Sequence, residues 1–290
     1  MQNFIDELME TINFDGTIER RHVSKPNGQE LTGLVFVKPN SCMSPTVYAE
    51  ELFADYQNGT TVEEIAKRVE NMINQDTPDF DVNDLMTWDS VKDKVIPFLL
   101  DKETNENMLD KLLYTETSTN LIECYAIMLD DIGGGKGNVK VFKTYLDMYG
   151  ITKAELVEQA HKNALDKLEI KSMLDTLIEM MGEDMVEAMG ITEDESNSTM
   201  YVVSNKDKML GAGTMFLDEA LNEIVRKTGK DTFFILPSSI HEFLVVTDMS
   251  ISPNELKEMV MNVNATEVSP KERLSNNVYK YDGEEVVQIA

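Results

Sequence analysis

Residues 232–248, TFFILPSSIHEFLVVTD, constrain the fold more than any other stretch of this chain. Two short apolar runs, Phe233–Leu236 and Phe243–Val246, flank the polar turn Pro237, Ser238, Ser239, Ile240, His241, Glu242. Short runs rich in aromatic and β-branched residues around a turn predict a β-hairpin. Each run is apolar almost throughout, so both faces of its strand need cover. The hairpin is therefore expected at the centre of a C-terminal sheet.

The rest of the chain supplies elements to surround it. Residues 2–12 predict an amphipathic helix with Phe4, Ile5, Leu8, Met9 and Ile12 on one side. Residues 17–23 and 31–38 predict a hairpin about Lys25, Pro26, Asn27 and Gly28, with Pro39 closing it. Ser44-Pro45 predicts a helix start, continuing to about Tyr56 and stopping at Asn58-Gly59. Thr60 or Thr61 caps the next helix, whose stripe is Val62, Ile65, Ala66, Val69, Met72 and Ile73. Residues 76–84 read as an acidic loop. A middle sheet is expected from 94–100, 120–129 and 138–145. Helices follow at 152–168 and from about 170 to 181.

The polar segment 190–198, GITEDESNS, is the candidate boundary between an N-terminal lobe, 1–190, and a C-terminal lobe, 191–290. In the second lobe, residues 200–204 predict a strand and 216–227 a helix ending at Gly229. Ser252-Pro253 starts another helix, and a last hairpin, 278–281 and 285–289, turns at Asp282-Gly283. Sheets with helices packed on them, and hairpins outnumbering βαβ units, give an α+β fold with mixed or antiparallel sheets in two lobes.

Composition limits function. The formal net charge is −27, from 53 acidic and 26 basic residues. Such a chain repels nucleic acid and anionic membranes, and no basic face is visible, so no direct nucleic-acid binding is expected. No apolar run reaches the roughly 18 residues a membrane span needs. The segment MQNFIDELMETI lacks the basic region and long apolar core of a secretory signal. Cys42 and Cys124 fit no metal or redox spacing, and a reduced cytoplasm is the expected compartment. The 19 methionines read as adaptable core filler.

Chemistry-bearing residues are few. Segment 130–137, DDIGGGKG, joins glycines to a lysine, but GxxxxGK[ST] is absent and the glycines precede a strand, so a hairpin tip is expected. His161, with Val157, Ala164 and Leu165 at helical spacing, reads as a packed or half-exposed histidine. Asn205, Lys206 and Asp207 read as a solvated turn. Ser238, Ser239, His241 and Glu242 are the candidate catalytic residues, since a serine nucleophile needs a nearby base and a group orienting that base. GxSxG and HExxH are both absent, so the bland alternative is turn chemistry that orders the hairpin. No cofactor and no metal are expected.

Some segments carry a likeness. MYVVSNK (200–206), Gly211-Ala212, ILPSSIHE (235–242), VNATEV (263–268) and LSNNVY (274–279) resemble a domain-of-unknown-function family of gut clostridia, the family numbered fifty-six eighty-eight. The resemblance extends over most of the chain. A weaker likeness, in element order, connects it to another bacterial family of unknown function. Neither resemblance implies a reaction. The leading expectation is an acidic protein working through contacts with an unknown protein partner. The alternatives are a DNA-mimic inhibitor of a DNA-binding enzyme, and a hydrolase or ligand-binding enzyme using the Ser/His/Glu turn.

Overall fold

The computed structural model describes residues 1–39, 44–74, 81–132, 135–191 and 199–290. Cys42, most of the expected acidic loop, Gly133, Gly134 and positions 192–198 of the candidate lobe boundary lie outside the described residues. By compactness the chain forms one unit of residues 1–85 with 129–137, and another of 86–128 with 138–290. That division falls elsewhere than residue 190. A strand before that position pairs with one after it, as shown below.

In the first unit, α1 (Gln2–Thr11) precedes the hairpin β1 (Thr17–Lys25) and β2 (Gln29–Val37). Asn27 and Gly28 both have positive φ, 61° and 65°, the geometry that a two-residue hairpin turn demands. The expected helix start at Ser44-Pro45 is corrected. Thr46–Tyr48 is a strand, β3, pairing antiparallel with Gly33, Leu34 and Val35 of β2, and the helix α2 (Ala49–Gln57) begins after it. β-Branched Thr46 and Val47 favour that edge pairing over a helical turn. Thr61 caps α3 (Val62–Ile73) in a reciprocal capping box with Glu64. Phe4, Ile5, Leu8, Leu34, Phe36, Ile65 and Val69 are the buried centre.

The second unit opens with α4 (Trp88–Val91) and β4 (Val95–Asp101). β5 (Tyr114–Glu116), β6 (Leu121–Ile132) and β7 (Gly135–Lys140) follow, the end of β6 and the start of β7 being the 129–137 stretch counted with the first unit, in the order β4-β6-β5 with β7 on β6. The expected third strand is shorter than predicted, because residues 144–149 form a helix, α5 (Thr144–Tyr149). Alternate residues of this sheet divide between its faces. Ile96, Phe98, Leu100, Ile122, Cys124 and Ala126 form one apolar layer. The opposite face carries α6 (Lys153–Asp166), which has its own capping box between Thr152 and Glu155. Asn163 fixes α6 by donating to the carbonyls of Lys92 at 2.7 Å and Val95 at 2.8 Å.

The expected helix from residue 170 is also corrected. Leu168–Ser172 is a strand, β8, and only then does α7 (Met173–Met181) begin, capped by Ser172, with α8 (Glu183–Ala188) behind it. β8 pairs antiparallel with β9 (Met200–Asn205), and this pairing overrides the helical spacing of the sequence. α9 (Asp218–Thr228) ends at Gly229, whose φ of 66° is the left-handed cap expected there. The central hairpin is β10 (Phe233–Leu236) and β11 (Phe243–Val246). After α10 (Pro253–Thr266) come β12 (Tyr279–Tyr281) and β13 (Val286–Gln288).

The larger sheet runs β13-β12-β10-β11-β9-β8, so the hairpin occupies its middle. Phe234 faces Val246 and Leu236 faces Leu244 across it. Phe233, Ile235, Phe243 and Val245 fill one face with Ile224 and Tyr279, while Phe234, Leu236 and Val246 fill the other with Leu256 and Val260. Each fully buried phenylalanine contributes on the order of 2–3 kcal/mol of burial. The architecture is α+β with antiparallel sheets. Among the described residues no helix is long and apolar enough to cross a membrane.

Candidate functional site

The hairpin turn is stitched along residues 272–275. Ile240 N–H donates to Glu272 O at 2.9 Å, Leu274 N–H to Ser238 O at 3.0 Å, and Ser275 N–H to Pro237 O at 3.1 Å. Ser239 is buried, and its Oγ accepts the backbone N–H of His241 at 3.0 Å. The His241 carbonyl accepts Ser204 Oγ–H at 2.8 Å, and its Nδ1 accepts the backbone N–H of Leu210 at 3.2 Å. Nε2 lies 4.0 Å from Glu272 Oε1. Ser239 and His241 thus meet through the main chain. Among the described residues the His241 ring hydrogen-bonds none of Ser238, Ser239 and Glu242. Activating a serine would require Nδ1 to release Leu210, a residue held at φ 60°. Gly211 approaches so closely that a Cβ there would lie 2.6 Å from His241 O. In this geometry the turn's polar groups order the loop beside it.

A second cluster lies between α6 and the middle sheet. β6 places Glu123 and Tyr125 on one face, because they are two residues apart, and Thr115 of β5 lies opposite Glu123. Glu123 is buried, with 7% of its side chain exposed. Its Oε1 accepts Tyr125 O–H at 2.5 Å and lies 2.8 Å from His161 Nε2. A carboxylate only accepts, so Nε2 carries a proton, and in the neutral ring Nδ1 presents a lone pair. Burial first, and then the charge of Glu123, push the Tyr125 phenol far above its ordinary range, so it remains a donor. Thr115 Oγ1 completes the chain, 2.8 Å from Tyr125 Oη. A cavity of about 300 Å³ opens beside His161 and Glu123. A histidine held by a buried carboxylate next to a cavity is suited to bind or exchange a proton with a small molecule.

His161, expected as a packed or half-exposed residue, is partly exposed, and it is also part of a network that takes in Glu123, Tyr125 and Thr115. The sequence carried one signal of it, a single carboxylate inside the apolar run LIECYAIML of β6. His22 pairs with Glu30 at 2.6 Å in the first hairpin. Among the described residues no group of three or more His, Cys, Asp or Glu is arranged to hold a metal ion.

The third feature is a surface. In α7, Leu174 is buried and Leu177 and Ile178 are half-buried, which fixes the helix against the sheet. Met180, Met181, Met185 and Met189 project from α7, α8 and the residue following, and Met180 is 75% exposed. Glu179, Glu183, Asp184 and Glu187 are exposed among them. Glu179 is bonded to Lys171 at 2.5 Å and Lys208 at 3.1 Å, pairs that lower its carboxyl below the usual range.

A family model described as a family of unknown function, DUF5688, matches residues 1–283. The chain belongs to that family. Membership spans both compact units and includes the turn, the Glu123–His161 network and the methionine surface. No curated protein and no solved structure matches the chain.

Proposed function

We propose that this protein works through protein contacts, and that the methionine surface of α7 and α8 docks a basic, amphipathic segment of a partner. The observation that carries this reading is the exposure of Met180, Met181, Met185 and Met189 together. Methionine is flexible and polarisable, and an exposed cluster of it suits a surface that moulds to apolar side chains. The surrounding Glu183, Asp184 and Glu187, on a chain of net charge −27, favour a partner bearing lysine or arginine beside its apolar face. Two helices this short offer less than the ~800 Å² per partner of a standard interface, so an affinity on the order of 10 μM is expected. A reducing cytoplasm is part of the same reading, supported by the buried free thiol of Cys124.

Methyl NMR tests it. A synthetic peptide of alternating leucine and lysine turns, helical and basic, is titrated into protein labelled at the methionine methyls. The signals of Met180, Met181, Met185 and Met189 are expected to shift and saturate, while that of buried Met215 stays. Shifts spread evenly over exposed methionines, or none at all, contradict the proposal. Salt-reversible inhibition of a DNA-binding enzyme that survives substitution of these methionines would instead favour DNA mimicry.

A further inference from the structure

The cavity beside His161 has a one-sided chemistry. Its apolar wall is Val157, Phe216, Leu221 and Val286. Its polar lining includes Glu116, Glu123, His161, Asp218, Glu284 and Glu285 and, among the described residues, no lysine or arginine, although Glu116 pairs with Lys102 beside it. The hydroxyl protons nearby are committed. Thr117 donates to Leu121 O at 2.6 Å and Ser118 to Val286 O at 3.0 Å. Tyr125 spends its proton on Glu123, so Thr115 is the donor in their contact. What remains for a ligand is a set of acceptors: carboxylate oxygens and, in the neutral ring, the Nδ1 lone pair of His161. The N-terminus of α9 would favour an anion, but Asp218 and Glu219 already occupy its first turn.

An occupant must therefore bring donors and positive charge, with an apolar part to cover Phe216 and Leu221. A volume of about 300 Å³ is at the small end of ligand sites. We propose that this cavity binds a small organic cation, an alkylammonium or guanidinium group on a short apolar body, held by Glu123, His161 and Asp218. The buried Glu123–Tyr125 pair presets the His161 ring at the cavity wall, so less ordering is needed when the cation binds. This site is separate from the methionine surface and does not depend on it.

Calorimetric titration of the full chain tests the proposal, with n-butylammonium and agmatine as probes and butyrate and butanol as controls, all at one ionic strength. Saturable binding of one cation per chain is expected, with butyrate and butanol giving none. His161→Phe and Asp218→Asn each replace a side chain with access to solvent, so the fold is expected to survive. Each should weaken the binding by at least about tenfold, the size of one lost charge-assisted hydrogen bond. Glu123→Gln should weaken it further where that variant folds. Lack of saturable binding by both cations overturns the proposal, as does equal binding of butyrate or unchanged affinity in His161→Phe and Asp218→Asn.

Discussion

His161 Nε2 lies 2.8 Å from Oε1 of Glu123, across 38 residues of sequence, and the same oxygen takes the phenol proton of Tyr125. One buried carboxylate thus joins a helix to the sheet beneath it. Removing a member leaves the others with unmet bonding capacity.

Tyr125→Phe deletes a donor to Glu123 and the acceptor of Thr115. A loss of about 1–3 kcal/mol in urea unfolding is expected. Because the network is shared, the double variant Tyr125→Phe, His161→Phe should depart from additivity by more than about 0.5 kcal/mol. Strict additivity would mean that the two side chains act independently.

At the hairpin turn, His241 serves as an acceptor for Leu210 N–H, while Leu210 sits at φ 60°. His241→Asn places an amide oxygen near the position of Nδ1 and should cost less than about 1 kcal/mol. His241→Ala leaves Leu210 N–H unmet and should cost about 1–3 kcal/mol. Equal losses for the two substitutions, measured by chemical unfolding, would show that the imidazole does not hold the loop.

The central hairpin was legible because Phe233–Leu236 and Phe243–Val246 are apolar on both faces, and only a middle position in a sheet satisfies such strands. The capping boxes at Thr61, Thr152 and Ser252 are local, and the sequence carried their start signals. LEIKSMLDTLIEMM has helical spacing throughout and so predicts helix across β8, whose strand character comes from pairing with β9. β5 is too short to announce itself. Ser239 and His241 share one turn, yet nearness in sequence does not reveal which atoms bond. The Glu123–His161 pair depends on α6 lying on β4 and β6, a packing that no local pattern encodes. Glu123 alone, a carboxylate in an apolar strand, pointed to it.

Tyr279 gives the chain a predicted alkaline weakness. Its hydroxyl donates to Asn120 Oδ1 at 2.6 Å, and burial, the largest cause, pushes the phenol up to about 12. An unfolded tyrosine releases its proton near 10, so the raised folded value stabilises the protein below that pH and the stability is lost as pH rises toward about 12. The contribution is on the order of 2–3 kcal/mol. Urea unfolding at several pH values between 8 and 12 should show Tyr279→Phe declining less than the parent across this window. Parallel declines would remove Tyr279 as a cause.

Calorimetric titration of the basic amphipathic peptide into the parent protein, into Met180→Gln, Met185→Gln, and into Met259→Gln, Met261→Gln tests the docking surface most directly. Met259 and Met261 are also exposed, but on α10. The parent should bind at a dissociation constant on the order of 10 μM, weaker as salt rises. The α7–α8 double variant should bind about tenfold or more weakly, each buried methionine contact contributing on the order of 1 kcal/mol, and the α10 double variant should bind as the parent does. Equal affinity in all three proteins, or a loss confined to the α10 variant, would contradict the account.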